Sequence, residues 1–183
     1  MASCYISTGY TLDCRNASTG GIKSLWILGD AGASITGVTY GGTNGEVTNI
    51  AGSGTFYKFE LVRQSSSFTE DLQVNTTNQS VVFQPTVQIA LPKLNQQLRD
   101  LWFDLIKQNA FYAILLDNND RYWLVGVENG LYVSAGQMLS GLAYNDANGI
   151  NLTAIGGEPN PTVQIEVSTT LGAVMTGITV DTE

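Results

Sequence analysis

The sequence predicts a mainly β protein carrying one amphipathic helix, and three observations lead there. Twenty glycines and only four prolines, set among many Ser, Thr and Asn residues in a chain of 183, suit many short strands joined by turns. Most apolar residues fall in short runs, alternating or continuous, bounded by Gly, Asn and Asp, which is the pattern of strands. One stretch alone has helical spacing: Leu94, Leu98, Leu101, Trp102 and Leu105 recur at steps of three and four, while Gln97, Asp100, Asp104 and Lys107 fall largely opposite.

Taken in order, residues 1–19 are polar and weakly patterned, and Gly20-Gly21 then opens a run in which Leu25-Trp26-Ile27-Leu28 is apolar on both faces. Such a run is a strand buried on both sides, ended here by Gly29-Asp30. Two β-branched segments, SITGVTY at 34–40 and EVTNIA at 46–51, flank the turn-forming residues 41–45 and predict a hairpin. Between Thr55 and Arg63, Tyr57, Phe59 and Leu61 alternate with Lys58, Glu60 and Val62, the mark of a half-exposed strand. Residues 68–74 and 80–83 predict the sides of a long hairpin around the polar tip 75–79. This arm, residues 64–83, has too few large apolar residues to make a core and needs cover from a neighbour, within the domain or from another copy.

Val87, Ile89 and Leu91 alternate with polar or small residues and lead to Pro92, which suits a helix's first turn; Asn109 marks the helix end, so the helix runs from about Leu94 to Asn109. Residues 111–116 and 121–127 flank the short polar loop Asp117-Asn118-Asn119-Asp120 and predict a second hairpin. Further strands are expected at 131–135, 150–155 and 162–167, separated by a glycine-punctuated segment, 136–144, and by the turn 145–149. Residues 171–180 are either a last strand or an arm reaching a neighbouring subunit. No internal repeat or linker divides the chain, so residues 1–183 are expected to form one domain.

The formal charge is −8, with eight Lys and Arg against sixteen Asp and Glu. That balance argues against a grip on nucleic acid through phosphate neutralisation, which needs clustered cations. Cys4 and Cys14 are too few to staple a chain of this size, and their spacing leaves both a disulfide and two free thiols open. Residues 1–15 lack the basic start and apolar run of a signal peptide, and no window reaches the roughly 18 apolar residues of a membrane span. The chain is therefore expected to be made in the cytosol, which leaves the sequons at Asn16, Asn75, Asn78 and Asn151 without weight.

Histidine is absent, which removes Ser-His-Asp and Cys-His arrangements and the commonest zinc ligand together. Glu70-Asp71 and the Asp117/Asp120 pair sit in turn or strand-start contexts that favour solvated surface over acid–base or calcium chemistry. The pairs Gly20-Gly21, Gly41-Gly42 and Gly156-Gly157 have no helix close behind and so punctuate turns rather than cradle phosphate. No catalytic, cofactor-binding or metal-binding residue is expected, and the chain is not expected to be an enzyme. A deep pocket lined by two acids and an aromatic would reopen that question.

The order of elements carries a family resemblance. Several strands, a long polar hairpin, one amphipathic helix, a hairpin straight after it and a closing set of strands resemble the tail-tube fold of long-tailed bacteriophages, shared by contractile injection machines and type VI secretion. The closing stretch looks like tube proteins of phages and prophages of the Bacteroidetes, in the turn 145–149, the strand after it and Gly157-Glu158-Pro159-Asn160-Pro161. The opening resembles them in Leu12-Asp13-Cys14-Arg15 and Gly20-Gly21-Ile22-Lys23. Residues 30–81 match only in general pattern.

The resemblance implies a β-sandwich closing toward a barrel with the helix packed on its flank, six copies in a ring, and rings stacked into a tube for DNA passage. It implies a virion protein made in the host bacterial cytoplasm, with further copies and other tail proteins as partners, no cofactor and no membrane span. Within the arm, Phe68, Leu72, Val74, Val81 and Phe83 are the expected subunit-contact residues. Glu46, Glu60 and Glu166, on the polar faces of predicted strands, are candidates to face a lumen that does not hold passing DNA. The alternatives are another virion part, such as a neck, tail-terminator or capsid-decorating protein, and a β-sandwich adhesin that binds glycans at its loops.

Overall fold

The computed structural model describes residues 18–42, 44–167 and 170–181. Cys4, Cys14 and the Leu12 to Arg15 motif lie outside the described residues. The chain forms eleven described strands and one α-helix: β1 (Ile22–Leu28), β2 (Ser34–Gly41), β3 (Glu46–Glu60), β4 (Ser67–Asn75), β5 (Ser80–Pro92), α1 (Gln96–Lys107), β6 (Tyr112–Asp117), β7 (Tyr122–Val125), β8 (Leu131–Leu139), β9 (Gly149–Gly156), β10 (Val163–Ile165) and β11 (Met175–Val180), the last preceded by a 3₁₀ turn, Leu171–Val174. The protein is mainly β, in two sheets.

The larger, seven-stranded sheet is organised on β3. Ile50 pairs with Val38 of β2 and Met175 of β11, and Phe56 with Leu28 of β1 and Val180 of β11. One edge of β3 therefore takes β2 and then β1, and the other takes β10 and then β11. From β1 the pairings run through β6, β7 and β10 and return to β3 where Ile165 meets Val47, so the sheet closes on itself. The smaller sheet is antiparallel in the order β4-β5-β9-β8.

This closure gives two cores. Inside the curled sheet lie Trp26, Leu28, Ile50, Phe56, Ile114 and Leu124; between its outer face and the small sheet lie Leu25, Ile27, Leu115, Val87, Ile89 and Leu152. The apolar run of β1 is explained by that arrangement. Leu25 and Ile27 face one core, Trp26 and Leu28 the other, as alternation along a strand requires.

Several expectations are corrected. The stretches read as separate strands at 46–51 and 55–63 are one strand, β3, bent through Gly52-Ser53-Gly54. Gly54 has φ +112°, and a Cβ there would stand 2.6 Å from that of Ala33. Glycine serves here as the bend where the partner changes from β2 to β1, not as a turn. Pro92 ends β5 instead of entering the helix, and Leu94 precedes it; Asn95 is the cap, its side chain accepting from the Leu98 N–H at 2.7 Å. On α1, Leu98, Trp102 and Leu105 pack against the core between the sheets, whereas Leu101, expected to pack with them, is 36% exposed at the margin. The segment 136–139 continues β8, and residues 175–180 are a strand in the chain's own sheet. The strand expected at 162–167 is shorter, Val163–Ile165.

Candidate functional site

The arm is a true hairpin of β4 and β5, and its register settles how it faces. Phe68 pairs with Val87, Leu72 with Phe83 and Val74 with Val81. Alternation then places Phe68, Glu70, Leu72 and Val74 on the same face as Val81, Phe83, Pro85 and Val87. Val87 lies in the core, so this is the core-facing side of the sheet. All five predicted contact residues share it. Their environments divide along the arm: Phe68 packs against the core and Phe83 is half-buried, whereas Leu72, Val74 and Val81 are 59%, 58% and 47% exposed. The opposite face is polar apart from Val82, with Gln73 donating to Gln84 across the strands. The arm thus carries the amphipathic pattern of a half-buried sheet past the point where its own chain supplies cover.

The base of the arm is built into the fold. The Glu70 Oε1 accepts from the Thr162 N–H at 2.9 Å and its hydroxyl at 2.7 Å, tying β4 to the entry of β10. Buried Ser66 accepts from the Ala90 N–H at 3.2 Å. Phe83 and Glu158 exchange backbone hydrogen bonds at 2.8 Å. Glu158, 4% exposed, directs its two carboxylate oxygens at the N–H groups of Glu128 and Asn129, each at 3.0 Å, and so fixes the turn between β7 and β8. The acidic-proline segment noticed in the sequence is thus a crosslink. Glu158→Ala removes the charged acceptor of two part-buried hydrogen bonds and should cost about 3 kcal/mol, from roughly 1.5 kcal/mol for each bond to a charged acceptor. Urea titration of the variant beside the parent chain checks it; an unchanged midpoint would contradict the role.

An open cleft of about 330 Å³ lies beside this base, with Ile22, Phe68, Leu115 and Trp123 as its apolar lining and Glu70, Asp117, Asn119 and Thr162 among its polar groups. It holds two acids and aromatics, the feature that would reopen enzyme chemistry. Both acids are engaged in holding the fold. Asp117 Oδ1 accepts from the N–H groups of Asn119 and Arg121 at 2.8 and 2.9 Å, and Oδ2 from Trp123 Nε1 at 3.3 Å. Asn119 in turn accepts from the Thr19 N–H at 2.9 Å, so the loop after β6 clasps residues 18–21.

Burial raises the Asp117 pKa, but the hydrogen bonds from Arg121, Trp123 and Asn119 outweigh it and hold the carboxyl below its ordinary value. A depressed folded pKa gives stability that is present above the unfolded value of about 3.9 and is lost as pH falls through the folded one. The stability difference between the parent and Asp117→Asn should accordingly be constant above about pH 5 and shrink below pH 4. Chemical denaturation of both proteins across that range tests the sign, and a gap that widens on acidification would refute it.

The three candidate lumen acids do not share one place. Glu46 and Glu166 come together at Gly42, where a Cβ would meet Oε2 of both. The Asn44 side chain and backbone N–H hold the Glu46 carboxyl below the usual range. Glu60 stands at the far end of β3, paired with Lys58 at 3.2 Å. Among the described residues no group of three or more Asp, Glu, Cys or His side chains is arranged to hold a metal, and no helix is long and apolar enough to cross a membrane.

Sequence reasoning passed over one feature, the loop 140–148, where Leu142 and Tyr144 are fully exposed. Their only signal was two large apolar residues inside a turn-rich segment.

These features define a mainly β, two-sheet protein with a helix on its flank and an amphipathic hairpin reaching beyond its core. No family model matches the chain, and no curated protein or solved structure matches it.

Proposed function

We propose that this chain is a non-enzymatic structural subunit that assembles with its own copies into hexameric rings stacked as a phage tail tube, through which DNA passes without specific binding. The observation that carries the reading is the arm, whose core-facing side continues as Leu72, Val74 and Val81 into solvent. An apolar sheet face that leaves its own core is stabilised when another subunit covers it. At about half exposure each, covering these three side chains contributes on the order of 3 kcal/mol per contact. The charge of −8 supports passage over capture, because an acidic wall does not trap phosphates. In this reading the chain is made in the host bacterial cytoplasm and ends in the virion tail, with other tail proteins at its ends.

Another virion part, such as a neck, terminator or capsid-decorating protein, uses the same arm in a different assembly. A glycan-binding adhesin is the second reading that a particular feature favours, because the open cleft sets Trp123 and Phe68 beside Asp117, Asn119 and Glu70, a mixture suited to a sugar ring. Negative-stain electron microscopy of the purified protein separates them. Six-fold rings or tubes support the tube reading; single particles whose tryptophan fluorescence responds to saccharides, and no longer does so after Trp123→Phe, favour the adhesin and overturn it.

A further inference from the structure

Two of the uncovered apolar features among the described residues are set at opposite sides by the small sheet. One is the arm face of Leu72, Val74 and Val81. The other is the loop 140–148 between β8 and β9, where Leu142 and Tyr144 are exposed at 101% and 113% of reference. That loop is braced. Asp146 Oδ2 accepts from the N–H groups of Leu142 and Ala143 at 2.8 and 2.7 Å, and the Asp146 N–H donates to the Ala143 carbonyl at 3.1 Å. Its base is tied down where the Lys93 and Leu94 N–H groups donate to the backbone and side-chain oxygens of Asn148, at 2.9 and 3.2 Å. Two large side chains are therefore held out into water by a built turn.

The strand order β4-β5-β9-β8 puts the arm on one edge of the sheet and the loop-bearing strand on the other. The register also separates them lengthwise. The loop leaves at the end where Gly149 pairs with Pro92 and Leu139, whereas the arm tip runs on past the Thr86–Ile155 pair at the other end. The two patches are different surfaces on opposite corners, the layout of a head-to-tail contact between identical copies.

We infer that Leu142 and Tyr144 of one copy seat on the Leu72, Val74 and Val81 face of the next. This deepens the assembly reading above and rests on it. Arm-to-arm pairing about a two-fold axis covers the arms and leaves the loop in water in both copies; the head-to-tail contact covers both features at once. A Tyr at its edge buries its ring while its hydroxyl stays among the polar residues of the tip, Asn75, Thr77 and Asn78. One such contact, repeated, closes into a ring or runs on as a filament, according to the rotation between copies.

Cysteine cross-linking tests it in the full chain with Cys4→Ser and Cys14→Ser. Val74→Cys and Leu142→Cys together should give a ladder of covalent oligomers on oxidation, while either alone gives none. A covalent dimer from Val74→Cys alone, without a ladder from the pair, assigns arm-to-arm contact and overturns the inference. Assemblies of normal size by light scattering with no ladder overturn it too and leave the assembly reading standing. A parent chain that stays monomeric removes both. Independently, Leu142→Ser with Tyr144→Ser should weaken self-association by about 100-fold at unchanged circular dichroism; undiminished association would overturn the contact.

Discussion

Phe56→Ala should cost about 3–5 kcal/mol of stability, the range for truncating a fully buried aromatic. Phe56 is 0% exposed and sits among Trp26, Leu28 and Ile50 inside the curled sheet. It is also the residue at which β3 pairs with β1 and β11 together, and the Asp181 N–H donates to its carbonyl at 2.8 Å. A cavity there sits where three strands join, and collapse to fill it would disturb the closure of the sheet. For a chain of this length the loss corresponds to roughly 6–20 °C in melting temperature. Calorimetry of the variant checks it, and a drop of under 1 kcal/mol would show that the closed core is not the stabilising centre described here. Tyr132→Ala, at a residue 48% exposed, is the control and should change much less.

Shortening the arm should abolish assembly while leaving the monomer folded. Removal of residues 64–83 as a block is too broad, because Ser66, Phe68 and Glu70 are tied into the sheet and Phe83 pairs with Glu158. Replacing residues 74–81 by Asn-Gly joins Gln73 to Val82 through a two-residue turn; Phe83 spends its N–H and C=O on Glu158, so by alternation Gln73 and Val82 are the hydrogen-bonded pair that such a turn closes on. The removed side chains add little to the monomer, since Val74 and Val81 are exposed, so its stability should stay within about 1 kcal/mol. Sedimentation should then find a single small species in place of large assemblies. Rings or tubes of normal size from the shortened chain would refute the arm's role.

The parts of the fold legible in the sequence are those where one element's own pattern decides the outcome. Leu25-Trp26-Ile27-Leu28 reads as doubly buried because both alternating sets are apolar, and β1 is buried on both faces. The spacing of Leu98, Trp102 and Leu105 places a helix and its inner face correctly. Phe56 was not legible: two and four residues before Lys58 and Glu60, it falls with them on the apparently polar face of its strand. Only the curl of the sheet covers that face at Phe56 and leaves it open farther along. The arm's apolar residues were visible in the sequence, but that they form one stripe depends on the β4–β5 register.

By itself, then, the sequence determined the β-rich class, the amphipathic helix, the arm and the absence of histidine chemistry, all of which follow from composition and local period. Tertiary structure alone decided three further things: the change of partner along β3 at Gly52-Ser53-Gly54, the bond between Glu70 and Thr162 across 92 residues, and the crosslink from buried Glu158 to the turn at Glu128 and Asn129. The physical reason is common to all three. Hydrophobic period is a property of neighbours along the chain, whereas strand partners and the acceptors of particular N–H groups are settled by which distant segments arrive beside them.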